Sequence, residues 1–246
     1  MTHSPRVGLF VTCVVDQVAP DVGIATVRLL EAAGAQVEFP AAQTCCGQPA
    51  ISAGEPEAAA RLAEHFVDVF HHCDAIVAPS GSCAAMVHHW FSRLLPHDDR
   101  VASLAQRTFE LTTYLVDELG RTDLYADGLG APLDATVTVH DACHGLRNLG
   151  IHDAPRALLV AAGATLIEMD EADTCCGFGG TFATKHGEIA APLADDKLGH
   201  AAATDARWLV SGDTACLLHL EGRRRRTGVG PEPIHIASLL ASGLSA

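Results

Sequence analysis

The sequence predicts an α/β protein made of two tandem, pseudo-symmetric domains, each a parallel sheet flanked by helices, with cysteine-bearing loops at the carboxyl edge of the strands. Three observations carry this. The cysteines repeat along the chain, short apolar runs alternate with helical periodicity, and each repeated cysteine falls just past a predicted strand.

The repeat is read from the cysteine positions. Cys13, Cys45 and Cys46 recur 130 residues later as Cys143, Cys175 and Cys176, while Cys83 and Cys216 are 133 apart, the drift that a small loop insertion produces. Flanking residues agree: Leu29-Leu30-Glu31-Ala32-Ala33-Gly34-Ala35 resembles Leu158-Leu159-Val160-Ala161-Ala162-Gly163-Ala164, and Thr44-Cys45-Cys46-Gly47 equals Thr174-Cys175-Cys176-Gly177. A period this long signals duplication of a whole domain, unlike the shorter periods of solenoids. The segment 121–134, with Gly128, Gly130 and Pro132, is the expected joint. The domains are therefore expected at 1–122 and 123–246.

In the first copy, Val7 to Val11 reads as a buried strand. Ile24, Val27, Leu30 and Ala33 then share a helical face that Gly34 ends, and Gln36 to Phe39 is a second strand. Pro56 opens a helix with Leu62, Phe66, Val69 and Phe70 on its apolar side. The strand Ala75 to Ala78 and a helix beginning near Cys83 complete a β-α-β-α-β-α order. The second copy repeats it with strands at Thr136 to Val139, Thr165 to Met169 and Trp208 to Val210. In such sheets the loops after the strands converge, so distant cysteines can meet there.

Composition narrows the function. With 16 Lys+Arg against 30 Asp+Glu the net charge is −14, which excludes a general nucleic-acid binder. No apolar run reaches the length of a membrane span, and Val7 to Val15 lacks the cleavage site of a signal peptide. An odd number of cysteines, nine, in a chain of 246 residues points to reduced thiols with a metal or redox task, and hence to a cytoplasmic protein.

The candidate ligands are Cys13, Cys45, Cys46 and Cys83 in one set and Cys143, Cys175, Cys176 and Cys216 in the other. Cys73, without a counterpart, is expected in the core. Four thiolates suit zinc or an iron–sulfur cluster. Neither half has the short C-x₂₋₄-C turns of structural zinc sites, and adjacent cysteines suit a cluster with several irons better than one ion. Vicinal disulfides at 45–46 and 175–176 would instead make a thiol–disulfide oxidoreductase. His140 and His144 flank Cys143 and are candidates for tuning the centre through hydrogen bonds. Gly177-Phe178-Gly179-Gly180 reads as a tight loop bringing amides near sulfur, and Arg223 to Arg226 as a solvated helix end.

The pattern C-x31-C-C-G-x35-C, formed by Cys13, Cys45-Cys46-Gly47 and Cys83, resembles the cysteine-rich CCG domain. That domain is shared by the CCG-containing component of heterodisulfide reductase, the glycolate oxidase iron–sulfur subunit and the lactate-utilisation A family. The last is nearest in Pro79-Ser80-Gly81-Ser82-Cys83-Ala84-Ala85-Met86, in His140-Asp141-Ala142-Cys143-His144 and in His235-Ile236-Ala237. The resemblance covers nearly the whole chain. It implies an iron–sulfur electron-transfer subunit of a multi-subunit system oxidising L-lactate to pyruvate, acting only with partner subunits that include a ferredoxin-type iron–sulfur protein. It also implies a 4Fe-4S or non-cubane cluster on the eight cysteines, with zinc open for one half. A zinc-binding scaffold is the alternative reading.

Relatives with the full motif close each set with C-x-x-C. Here Ser80 and Asp213 stand at the first position of that pair; Ser80 reads as a helix-start residue, and Asp213 as a ligand or a hydrogen-bonding group. The C-x₂-C-x₂-C-x₃-C-P runs of the glycolate oxidase subunit have no counterpart here, nor has a nucleotide-binding G-x-G-x-x-G frame.

Overall fold

A computed structural model describes residues 5–245. Two four-stranded parallel sheets form the framework. The first has the order β2-β1-β3-β4, from Arg6–Leu9 (β1), Gln36–Glu38 (β2), Ala75–Ala78 (β3) and Thr108–Glu110 (β4). The second has the order β6-β5-β7-β8, from Thr136–Val139 (β5), Thr165–Leu166 (β6), Trp208–Ser211 (β7) and Glu232–His235 (β8). The predicted class and pseudo-symmetry hold. Each sheet gains a fourth strand beyond the predicted three, and β6 is shorter than the expected 165–169.

Helices cover both faces, which is why the central strands are buried along most of their length: every residue of β3 is apolar and buried. On one face of the first sheet Phe10 packs edge-on against Phe66 with ring centroids 4.8 Å apart, and Phe66 meets Phe91 at 5.3 Å. Phe66 and Phe70 come from the helix Pro56–Phe70, as its periodicity predicts. Cys73 is buried in this cluster, also as expected.

The helix Pro20–Ala32 departs from the expected face. Val22, Ala25, Thr26, Leu29 and Leu30 are buried, whereas Ile24 is 63% exposed. The buried stripe is set by a second contact: the C-terminal helix Ile236–Ser242 packs on this helix, so the inward face is broader and rotated away from Ile24.

The joint is pinned at both ends. Tyr125 donates its hydroxyl hydrogen to the Leu240 carbonyl at 2.6 Å, and Gly130 bridges to Leu244. Across the pseudo-twofold axis Ser80 and Asp213 form an antiparallel bridge, and the helix Gly81–Leu94 packs on the helix Cys143–Leu149 so closely that a Cβ on Gly81 would stand 3.0 Å from the Gly145 Cα.

Candidate metal centre

In each sheet the strand order reverses between the two central strands, β1 and β3 or β5 and β7. The carboxyl ends at such a switch point open a crevice. Cys13 begins the helix after β1, and Cys83 lies in the first turn of the helix after β3; Cys45 and Cys46 sit in the loop after β2. The second half repeats this with Cys143, Cys216 and the pair Cys175-Cys176. All eight candidate ligands thus reach the carboxyl edge, as the strand pattern predicts.

The two sets face each other. One cavity of about 380 Å³ is lined by Cys13, Cys46, Cys83, Cys143, Cys175, Cys176 and Cys216, and Cys45 lies directly behind Cys13 with their sulfurs 3.5 Å apart. Cys46 and Cys83 are also 3.5 Å apart, and Cys176 and Cys216 2.9 Å. The nine cysteines are all free, and the members of each vicinal pair contact different distant cysteines.

In each half one thiol is drawn well below the usual thiol range. The S–H groups of Cys13 and then Cys46 donate to Cys45 and bring it down to about 3, with the Gly47 amide adding a bond at 3.4 Å. Cys143 and then Cys176 do the same for Cys175, which falls to about 2, and the Gly177 amide lies 3.3 Å from its sulfur. The donating thiols Cys13, Cys46, Cys143 and Cys176 are correspondingly pushed up, chiefly by that same hydrogen bond.

The amide placement requires glycine. Gly177 has φ +87°, and a Cβ there would stand 2.4 Å from the Ala190 carbonyl oxygen. Phe178, Gly179 and Gly180 continue along the cavity wall, so the glycine-rich loop takes the place expected for it.

Ser80 and Asp213 cap helices. Ser80 Oγ accepts from the Cys83 amide at 3.4 Å. The Asp213 carboxylate accepts from the Ala215 amide at 3.2 Å, from the Ser82 amide at 3.2 Å and from Ser80 Oγ at 3.4 Å. Asp213 therefore ties the two halves together at the pseudo-dyad, and of its two expected roles the structure shows hydrogen bonding.

The two sets differ in their surroundings. Cys46 and Cys83 pack in the aromatic cluster around Phe10, whereas β5 leads into His140 at the corresponding position. Beside it stand Lys197, 1% exposed, whose ammonium donates to the Glu171 carbonyl, and Asp141, paired with Arg156 at 2.8 and 2.9 Å. Burial pushes the Lys197 ammonium down, against the pull of Asp173 and Cys176. His144 is exposed, 3.9 Å from the Cys143 sulfur and near Gln48 of the other half.

The sequence reading missed Glu110 altogether and gave His235 no role. Glu110 and His235 end the fourth strands and cap the helices that follow, Glu110 accepting from Thr112 at 2.8 Å and His235 from Ala237 at 3.1 Å. His235 Nε2 reaches the Pro79 carbonyl at 3.1 Å, and Glu110 lies against Gly212. Burial raises Glu110 to about 7 and lowers His235 to about 4. The signal was present in His235-Ile236-Ala237, but nothing local marks Glu110 as its counterpart.

The donor chemistry fits a thiolate-ligated metal or an iron–sulfur cluster: four thiols in contact, one drawn well below the usual thiol range in each set, a backbone amide on its sulfur, and open volume beside them. Cys13, Cys45, Cys46 and Cys83 would hold one centre, and Cys143, Cys175, Cys176 and Cys216 the other.

The cysteine-rich CCG domain matches twice, over residues 7–88 and 137–221. The chain is 39% identical over 245 residues to "Lactate utilization protein A 2" of Bacillus cereus strain Q1, spanning 98% of this chain and 99% of that protein. It is 40% identical over 245 residues to "Lactate utilization protein A" of Macrococcus caseolyticus, covering 98% of each. A hypothetical protein from Helicobacter pylori, 9% identical, has the same fold with a TM-score of 0.69 over 98% of this chain and 50% of its own. The chain belongs to the CCG cysteine-rich-domain family, among the lactate utilisation A proteins.

Proposed function

We propose that the chain is an iron–sulfur electron-transfer subunit of a multi-protein system that oxidises L-lactate to pyruvate. The observation that supports this best is the meeting of two four-thiol sets on one cavity at the carboxyl edges of two sheets. A structural zinc site closes four ligands around one ion, whereas these sets open onto shared space. The lactate assignment rests on the relatives that span the full chain.

An iron–sulfur centre, when bound, supplies reversible one-electron redox chemistry. The chain's own residues create the conditions for it. Burial of Cys46, Cys83, Cys176 and Cys216 limits water at the sulfurs, and the Gly47 and Gly177 amides and the Lys197 ammonium place positive charge near them. Hydrogen bonds to sulfur and a nearby cation favour the more negative, reduced state.

None of these groups is arranged to take a proton from a hydroxy acid, so substrate chemistry is assigned to partner proteins, among them a ferredoxin-type iron–sulfur subunit. Deletion of the gene should abolish growth on L-lactate and leave growth on pyruvate intact, with the intact gene restoring it. Unimpaired growth on lactate would refute the pathway assignment.

A further inference from the structure

We propose that His140 is a metal ligand of the second centre, so that the two halves hold chemically different sites: thiolates alone in the first, thiolates plus one imidazole in the second. This rests on the metal-binding reading of the eight cysteines and adds a ninth side chain to it.

The argument begins with an orphan. His140 is 2% exposed, yet among the described residues neither ring nitrogen has a hydrogen-bond partner. Buried polar groups are nearly always paired, and an imidazole carries two nitrogens to satisfy. Its backbone is fully engaged: the amide donates to the Val210 carbonyl at 2.8 Å, and Ser211 Oγ donates to its carbonyl at 3.0 Å. Next to it, Asp141 is clamped by Arg156. The residue is held rigidly at the end of β5 with its side chain unspent.

What the imidazole faces is sulfur. One ring nitrogen and the sulfurs of Cys176 and Cys216 lie within 4.8 Å of one another, all three residues buried. Donors bound to one ion at about 2.0 to 2.3 Å are themselves under ~4.6 Å apart, so the three are already near the spacing of a shared coordination shell. A neutral imidazole binds through its lone pair and releases no proton.

The pseudo-symmetry supplies the contrast. Position 10, at the same place after β1, is Phe and fills an aromatic cluster with Phe66 and Phe70. A histidine kept only for packing would have no need to differ from it. A neutral imidazole adds a donor to the second set without adding negative charge, so the two centres differ in potential.

The test uses the full chain labelled with ¹⁵N-histidine. After anaerobic reconstitution with iron and sulfide and reduction by dithionite, pulsed EPR should show a directly bonded histidine nitrogen that disappears in His140→Phe and persists in Cys13→Ser. Only the weak couplings of hydrogen-bonded nitrogen, or a strong coupling surviving in His140→Phe, would overturn the proposal. Phe at this position mirrors the first half and keeps the core filled, and the labelled native chain gives its answer whether or not the variant folds. Should the chain take up no iron, the electron-transfer reading fails, and ¹¹³Cd²⁺ binding then decides on His140 separately. A one-bond ¹¹³Cd–¹⁵N splitting supports ligation, and bound cadmium without splitting, or no bound cadmium, refutes it.

Discussion

Cys45 and Cys175 are the thiols that the structure prepares as anions, each accepting from two neighbouring thiols and a glycine amide. Serine cannot supply a thiolate. Cys45→Ser should therefore remove about half of the bound iron and sulfide, with Cys175→Ser removing the other half; metal analysis of each purified variant checks this, and loss of everything in either would mean a single shared centre. Glu110 behaves differently, because burial comes first and the nearby Asp213 charge adds to it. Its carboxyl is raised from about 4.5 to about 7, so the folded chain holds a proton that the unfolded chain has lost. That contribution to stability is complete below pH 4.5 and disappears as the pH rises through 7, a difference of up to about 3 kcal/mol. Glu110→Gln should keep the cap and remove the pH dependence, gaining stability relative to the native chain at pH 8 and not at pH 4.5. Denaturant titration at the two pH values measures it, and an equal effect at both would exclude the buried-carboxyl account.

At the scale of elements, the fold was legible where local pattern and tertiary role coincide. β1, β3, β5 and β7 are central strands whose last three residues are all buried, and the cysteines after them were read correctly as loop and helix-start residues. The fourth strands were not legible. Thr108–Glu110 is three residues long, and Glu232–His235 contains Pro233, so each is an edge strand recognisable only from its neighbour. The exposed Ile24 was misplaced for a related reason: the helix carrying it is shared between its own sheet and a helix more than 200 residues later in the chain. His140 was noticed for standing near Cys143, but its companions are Cys176 and Cys216, a proximity that only the closed sheet creates. Beside it, the element-end loop is fastened by Arg156, 12% exposed, bridging Asp141 and Glu168. Arg156→Ala would leave the buried Asp141 charge uncompensated and should cost about 3 kcal/mol, read as a lowered urea midpoint. A loss below ~1 kcal/mol would show that this clamp is dispensable.

The whole molecule is two copies of one unit that no longer stand apart. The C-terminal helix Ile236–Ser242 covers the helix Pro20–Ala32, Asp213 caps a helix of one half while bonding Ser80 and Ser82 of the other, and His235 reaches Pro79. We propose that the boundary between the two units lies at residues 122 and 123 and that neither part folds independently. Segments 1–122 and 123–246 expressed separately should be aggregation-prone or partly unfolded, and co-expression should recover a stable complex; two monomeric, cooperatively folded halves would contradict this. Interlocking also explains why the thiol sets meet, since the same pseudo-dyad that joins Ser80 to Asp213 turns both carboxyl edges inward. The most direct measurement of the central claim is iron, acid-labile sulfide and zinc content of anaerobically purified protein, with its visible spectrum before and after dithionite. Iron with sulfide and a broad absorbance that bleaches on reduction is the predicted result; stoichiometric zinc without colour, even after reconstitution with iron and sulfide, would contradict it.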